Sequence, residues 1–159
     1  MSTAAPSQQK LQQFLRFSLP ENTHAMVPTQ QLTEILSLNL SQIVPIPDTD
    51  PAMMGVCNWR GEVLWLVDFS CWLGMEPLYS QSLRRGKLNV VIIHHLGKTL
   101  GLGVDQIEQM IWCDRTQIQP TPMQHISESF SNCLQGCWSD PKGNLVLIFD
   151  AEAMMNCLK

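Results

Sequence analysis

The sequence predicts a mainly β protein that is built from two related lobes, each holding a hairpin and a short helix that caps it. Short apolar runs bounded by Pro, Gly, Asn and Asp fill most of the chain, which is typical of many short strands. Two stretches of similar plan, residues 55–68 and 136–150, are the second observation. Segments with helical spacing are few and short. The expected balance is therefore mostly β with small helical caps.

Alternating or continuous apolar residues predict strands along nearly the whole chain. These segments are 13–19, 24–28, 62–67, 88–94, 99–104, 107–113 and 144–149. Helical spacing predicts three short helices, at 29–36, 69–73 and 151–158. In the first of them Leu32, Ile35 and Leu36 share a face, and Thr29 is a candidate N-cap.

The two similar stretches follow one plan: a glycine, a short strand, a turn that ends in glycine, an apolar strand, an aspartate and a short helix. Gly61 and Gly143 suit the positive φ of a hairpin turn. The strands that follow are apolar on both faces, so we expect them to be central in their sheets. An internal repeat explains the similarity. The alternative is that any two hairpins look alike.

Length and charge narrow the class of protein. A chain of 159 residues has the size of one domain, and we expect a single domain over residues 12–159 behind a flexible tail at 1–11. The net charge of -4 and the scattered Lys and Arg argue against nucleic acid and against a charged membrane surface. The polar start has no apolar signal segment, and no run reaches the roughly 20 apolar residues of a membrane span. We therefore expect a cytoplasmic protein with six reduced cysteines.

Three aspartates at strand ends raise the question of catalysis. Asp68, Asp105 and Asp150 lack the Thr/Ser-Gly that builds an aspartic-protease turn, so we interpret them as structural caps. Neither a Gly-x-Ser-x-Gly nucleophile motif nor a P-loop is present. No catalytic residue and no cofactor is predicted.

Cysteine and histidine spacing raises the question of a metal. Cys133 and Cys137 supply only half of a structural zinc pattern. His94 and His95 are strand neighbours, which point to opposite faces. We therefore predict no metal site, while a thiol- or metal-dependent protein that uses Cys133 and Cys137 remains the rival from another class.

Tryptophan is the most unusual feature of the composition. Trp59 lies beside Arg60 in a predicted hairpin turn, and both residue types are enriched at interface hot spots. The alternative is that Trp59 covers the core of its lobe. Trp65 lies in the middle of an apolar strand, so we expect it in the core.

Residues 55–69, followed by Leu73-Gly74, resemble the signature of CheW-like domains: G-V-x-N-L-R-G, a hydrophobic strand containing Pro, V-D-L and a helix that ends in Leu-Gly. Further pieces occur in the family's order, and the resemblance covers about residues 13–157. They are 14–17 for the opening strand, 32–36 for the "V-x-E-hydrophobic" helix, 101–105 for "G-hydrophobic-x-V-D", and Gly136 with 145–150 for the last hairpin.

The resemblance implies two SH3-like five-stranded β barrels packed side by side, with a division near residues 82–88. It also implies a non-enzymatic adaptor that couples methyl-accepting chemoreceptors to a CheA-type histidine kinase. The receptor's helical tip would bind an apolar groove between the lobes, and the kinase's regulatory domain another surface. Such an adaptor is cytoplasmic and reaches membrane receptor arrays through its partners. The same adaptor in a type IV pilus, surface-motility or phototaxis system is the alternative.

The resemblance also assigns partner-binding residues position by position. Arg60 matches the arginine of the partner-contacting turn, which Asn58 and Gly61 shape. The other matching positions are Gly55, Leu32, Glu34, Ile35, Val90 and Val91. Trp59 replaces the family's usual Leu and Trp65 its usual Pro. A Trp beside the arginine enlarges the contacting surface, so partner specificity is expected to differ from that of a standard flagellar coupler.

Overall fold

Two five-stranded sheets make up the computed structural model, which describes residues 10–78, 86–120 and 133–157. This confirms the predicted mainly β fold with short capping helices. The elements are β1 Leu11–Leu19, β2 Thr23–Pro28, β3 Leu32–Asn39, β4 Met53–Trp59, β5 Glu62–Asp68, α1 Phe69–Trp72, β6 Lys87–His95, β7 Lys98–Val104, β8 Gln106–Asp114, β9 Leu134–Ser139, β10 Leu145–Phe149 and α2 Ala151–Cys157. Short 3-10 helices cover Thr29–Gln31, Leu40–Gln42 and Arg115–Gln117.

Each sheet combines strands from both halves of the chain. The first has the order β8-β1-β2-β10-β9 and the second the order β3-β6-β7-β5-β4. The hairpin β1–β2, from the first half of the chain, lies in one sheet with β8, β9 and β10. The hairpin β6–β7, from the second half, lies in the other sheet with β3, β4 and β5. A lobe boundary near residues 82–88 is wrong for this reason, because strands on both sides of it belong to the second sheet. That position instead separates two halves of equal plan.

The equivalence of the halves extends well beyond the two hairpins. One parallel strand pair occurs in each sheet, β5 with β7 and β10 with β2. Each sheet also has one isolated bridge that closes its edge, Val44 with Val56 and Gln119 with Cys137. Chance similarity of two hairpins does not produce matching bridges and parallel pairs. The predicted internal repeat therefore covers the strands from β1 to β5 and from β6 to β10.

The predicted helix at 29–36 is wrong after its first turn. Only Thr29–Gln31 is helical, as a 3-10 helix. Thr29 is not its N-cap, because the Thr29 hydroxyl donates to the Gln13 carbonyl and makes no capping hydrogen bond. Leu32–Asn39 is strand β3, which pairs with β6 over nearly its whole length. The pairing is irregular between Leu32 and Glu34, and Leu32 packs against the cluster between the lobes while Leu36 packs against the core of the second barrel. Pairing with β6 supplies backbone hydrogen bonds that decide the outcome.

Three apolar clusters explain why the strands are hydrophobic on both faces. One lies inside each barrel, and the largest lies between the two sheets. Phe69 at the start of α1 packs edge-on against Phe149 of the other lobe, with ring centroids 4.7 Å apart. The centroid of the Phe17 ring on β1 lies 5.9 Å from the centroid of the Phe69 ring. Burial of large aromatic rings between the lobes fixes the lobes relative to each other.

The two predicted capping helices agree with the structure within a few residues. Strand β1 begins at Leu11, one residue inside the expected tail, and residues 1–9 of that tail lie outside the described part. The predicted helices at 69–73 and 151–158 correspond to α1 and α2, and Leu158 lies outside the described residues. Both helices are too short to cross a bilayer, and no other helix in the described ranges could span one.

Candidate partner-binding surfaces

The turn between β4 and β5 is a two-residue hairpin loop whose shape follows from its sequence. Arg60 has φ 54° and Gly61 φ 80°, and two positive values define the I′ type that matches strand twist. The Asn58 side-chain oxygen accepts a hydrogen bond of 2.9 Å from the Gly61 N–H. Trp59 and Glu62 pair across the strands below it. The loop therefore presents the Arg60 side chain outward.

Arg60 is held in place by two neighbours while remaining largely exposed. Its Nη2 lies 2.5 Å from Glu34 Oε1 on β3, and its guanidinium carbon lies 5.1 Å from the centre of the Trp59 ring. The Arg60 side chain keeps 69% of its exposure, so the ion pair adds little to stability. Its effect is to limit the conformations of Arg60. We call Glu34, Trp59 and Arg60 the hairpin-tip surface.

Trp59 combines the two roles that the sequence left open. Its ring packs against the core of the second barrel, yet the residue stays half-buried and contacts Arg60. The indole N–H is buried and has no hydrogen-bond partner among the described residues. A tryptophan that packs against a core on one side and remains accessible to a partner on the other is the type of residue found at interface hot spots.

The predicted contact residues of strand β3 lie in different environments. Ile35 is 36% exposed, but as the strand neighbour of Glu34 it points to the opposite face, so only Glu34 belongs to the hairpin-tip surface. Leu32 is half-buried against the cluster between the lobes. Leu32 therefore supports the inter-lobe core instead of extending the hairpin tip.

Three of the predicted contact residues are buried and cannot touch a partner in this structure. Val90 lies inside the second barrel and Val91 lies between the lobes, both with 0% exposure. Gly55 is also buried, and a Cβ on it would lie 2.2 Å from the Val44 carbonyl oxygen. Its role is to let the edge bridge form. Strand position alone did not distinguish the inner from the outer face.

A second surface is an apolar groove between the second sheet and α2; the family resemblance implied a groove between the lobes without naming the residues that line this one. It has a volume of about 550 Å³. Trp65, Trp72 and Met155 line it, and Trp65 is 42% exposed, so the prediction that Trp65 is a core residue is wrong. We call this the inter-lobe groove; its other lining residues are Thr49, Asp50, Met53, Lys98, Thr99, Leu100 and Cys157. For the lining residues themselves, the signal in the sequence was the replacement of a proline by Trp65.

Comparison with known proteins assigns the family. A model described as CheW-like domain matches residues 13–158. The chain belongs to the CheW-like domain family. Chemotaxis protein CheW of Rhizobium meliloti (strain 1021) is 35% identical over 79 residues, which is 49% of this chain and 48% of that protein. A probable chemotaxis protein CheW of Rhizobium etli is 33% identical over 78 residues, 48% of this chain and 47% of the relative. The matches thus span about half the length of these relatives.

A solved structure supports the same fold. The crystal structure of scaffolding protein TtCheW from Thermoanaerobacter tengcongensis superposes with a TM-score of 0.72 at 23% identity, covering 87% of this chain and 88% of that one. The expected pair of five-stranded SH3-like lobes is confirmed by this likeness and by the two sheets.

The strand-end aspartates of this CheW-like domain have structural surroundings. Asp68 Oδ1 accepts from the Cys71 N–H at 3.0 Å and begins α1, and Asp150 Oδ2 accepts from the Ala153 N–H at 3.1 Å in α2. Asp105 differs, because strand β8 follows it directly and there is no helix for it to cap. Its backbone N–H donates to the Ser18 carbonyl. Asp68 and Asp150 thus serve as structural caps of α1 and α2.

The described histidines and cysteines make contacts with other protein groups and do not cluster as metal ligands would. The His94 ring contacts the Thr33 hydroxyl at 2.6 Å, and the Cys137 thiol donates to the Pro120 carbonyl at 3.7 Å. Within residues 10–78, 86–120 and 133–157 no three potential ligands form a metal-binding group. Cys133 contacts Cys157, a pairing that the sequence did not single out.

Proposed function

We propose that this CheW-like domain is a non-enzymatic adaptor that couples chemoreceptors of the methyl-accepting type to the regulatory domain of a CheA-type histidine kinase. The observation that carries the proposal is the pair of exposed surfaces, the hairpin tip and the inter-lobe groove, on one body with a continuous core. Such an adaptor breaks no bond. It holds two partners at a fixed separation, so that a change in one partner alters the other.

The inter-lobe groove suits an apolar helical partner. Trp65, Trp72 and Met155 give it broad apolar walls, and methionine adapts to different side-chain shapes. Amphipathic helices bind grooves of this kind through anchors on one helical face. We therefore assign the receptor's helical tip to the groove.

The hairpin-tip surface suits a globular partner. Arg60 offers an exposed charge of restricted mobility, and Trp59 adds apolar area next to it. A central aromatic–arginine pair surrounded by weaker contacts is a common hot-spot arrangement. We therefore assign the kinase regulatory domain to the hairpin tip.

Binding measurements with matched variants test the assignment of the kinase. Arg60→Ala is expected to weaken binding of the isolated regulatory domain on the order of tenfold or more. Lys142→Ala changes an exposed cation in the equivalent turn of the other lobe and is expected to leave binding unchanged. Equal affinities for the two variants, or no binding by folded wild-type protein, would contradict the proposal.

A second pair of variants tests the groove. Trp65→Ala should weaken binding of a receptor helical-hairpin fragment and leave kinase binding intact. Val63→Ala removes an exposed residue of the same strand, 67% exposed and outside the groove lining, and serves as the control. If both variants bind the receptor fragment as wild type does, the groove is not the receptor site.

The output of the pathway depends on the partner pair. An adaptor of a pilus-motility or phototaxis system would use the same two surfaces with other receptors and kinases. Affinities for a panel of regulatory domains from the same genome identify the system. In each case we propose a location beneath a membrane receptor array, reached through the partners.

A further inference from the structure

The end of α2 brings a second thiol to a buried one. Cys133 immediately precedes β9 and has 0% exposure, whereas Cys157 is the last residue of α2 and is exposed. Their sulfur atoms lie 2.9 Å apart. A disulfide needs about 2.05 Å, so a displacement of less than 1 Å would allow the bond to form.

The chain around the two thiols already holds their backbones together. Asp150, which precedes α2, donates its N–H to the Cys133 carbonyl at 3.4 Å. Met154 on α2 is fully buried in the same apolar cluster as Cys133. The two ends of the helix therefore lie near one residue, and a bond between Cys133 and Cys157 requires no rearrangement of the fold.

We propose that Cys133 and Cys157 form a reversible disulfide when the protein meets a hydroperoxide. Cys157 gives up its thiol proton and its sulfur attacks the terminal peroxide oxygen. The O–O bond breaks, Cys157 becomes a sulfenic acid, and the other oxygen takes up the proton and leaves as water or an alcohol. The Cys133 sulfur then attacks the sulfenic sulfur. The S–O bond breaks, the hydroxyl leaves with the Cys133 proton as water, and the S–S bond forms. Two thiols are oxidised and one peroxide is reduced.

The surroundings assign the order of these steps. Burial raises the pKa of the Cys133 thiol, and its hydrogen bond with Cys157 raises it further, so little reactive thiolate is present at this position. Cys157 is the accessible sulfur and meets the oxidant first. Cys133 then acts as the resolving thiol, because its sulfur is already in contact.

The bond would act on the inter-lobe groove. Met155 and Cys157 supply the wall of the groove that α2 contributes. Closing a loop between residues 24 apart lowers the population of locally opened α2 on the order of 100-fold. Oxidised protein therefore presents a more rigid groove than reduced protein does.

Mass spectrometry of the full chain tests the pairing. After treatment with hydrogen peroxide and blocking of free thiols, we expect one linked peptide pair that contains Cys133 and Cys157, lost on reduction with dithiothreitol. Cys157→Ser alters only the exposed partner and should abolish the link. Cys71→Ser, at another cysteine that is not fully buried, should not change it. Free Cys157 after peroxide, Cys157 oxidised without a link, or a link between two chains would each overturn the proposal.

Hydrogen exchange tests the consequence. Amides of α2 should exchange on the order of 100-fold more slowly in the oxidised wild-type protein than in the reduced protein. The Cys157→Ser variant should show no such difference. Equal exchange of α2 in oxidised and reduced wild type, with the disulfide shown to be present, would refute the effect on the groove.

Discussion

Replacing Gly55 by alanine perturbs the edge bridge of the second lobe. The new Cβ would lie 2.2 Å from the Val44 carbonyl oxygen and 2.8 Å from its carbon, so the backbone of the bridge has to move. Gly55 also has φ 141°, which an alanine adopts only with strain. Two bridge hydrogen bonds depend on this approach, Val44 N–H to Val56 O at 2.8 Å and Val56 N–H to Val44 O at 2.9 Å.

The expected loss follows from these contributions. Backbone strain costs on the order of 1–3 kcal/mol. Each weakened hydrogen bond costs about 0.5–1.5 kcal/mol. We therefore expect Gly55→Ala to lower the free energy of unfolding by about 2–6 kcal/mol, a large share of the total for a domain of this size. Urea denaturation followed by tryptophan fluorescence measures it.

Two further glycines make the result interpretable. Gly61→Ala is the control, because Gly61 also has a positive φ, 80°, but a Cβ on it would meet no atom within 4 Å; it should cost about 1 kcal/mol. Gly136→Ala, whose Cβ would lie 2.7 Å from the Gln119 oxygen, should resemble Gly55→Ala if the halves are equivalent. Equal losses for Gly55→Ala and Gly61→Ala would refute the reasoning from close approach.

Further predictions concern stability and assembly of the two lobes. Phe69→Ala removes a fully buried ring between the lobes and should cost about 3–5 kcal/mol in urea unfolding; a loss below 1 kcal/mol would contradict an inter-lobe core. Burial raises the pKa of Asp140, but hydrogen bonds from Asn144, Arg16 and Lys142 outweigh it and lower that pKa to about 2. The ionised Asp140 carboxylate therefore stabilises the folded protein fully above the ordinary carboxyl pKa, and this contribution is lost as the pH falls from about 4 to about 2. In Asp140→Asn, the free energy of unfolding should depend less on pH over this range. Fragments 1–78 and 86–159 should each be unfolded alone and should regain the native circular dichroism spectrum when mixed, because each sheet needs strands from both fragments. A fragment that folds alone would contradict this sharing of strands between the sheets.

Local sequence predicted the strands well and one helix badly. Strands such as β5 and β10 are apolar on both faces because one face fills a barrel and the other packs between lobes or forms a surface. Helical spacing at 29–36 misled, since Leu32 and Leu36 pack against different clusters and pairing with β6 decides the backbone conformation. Local propensity contains no information about a partner strand whose residues lie 48 positions (Asn39 and Lys87) to 61 positions (Leu32 and Ile93) away.

The candidate site was predicted in part for a related reason. The Arg60 turn could be read from consecutive residues, because Asn58 and Gly61 determine its shape locally. Its ion pair with Glu34 joins residues that are 26 positions apart, and the family resemblance pointed to both without showing the contact. Trp65 and Val90 are both in apolar strands, but one is 42% exposed and the other 0%, because packing between sheets decides which face is covered.

Reconstitution of the proposed complex of receptor, adaptor and kinase tests the proposed function most directly. Membranes that contain a chemoreceptor from the same genome would be mixed with the CheA-type kinase, with and without this protein, and sedimented. We expect the kinase to sediment with the receptor membranes only when wild-type protein is present, and far less with Arg60→Ala than with the control Lys142→Ala. Kinase recruitment that is the same without the protein, or the same for Arg60→Ala and Lys142→Ala, would contradict coupling through the hairpin tip.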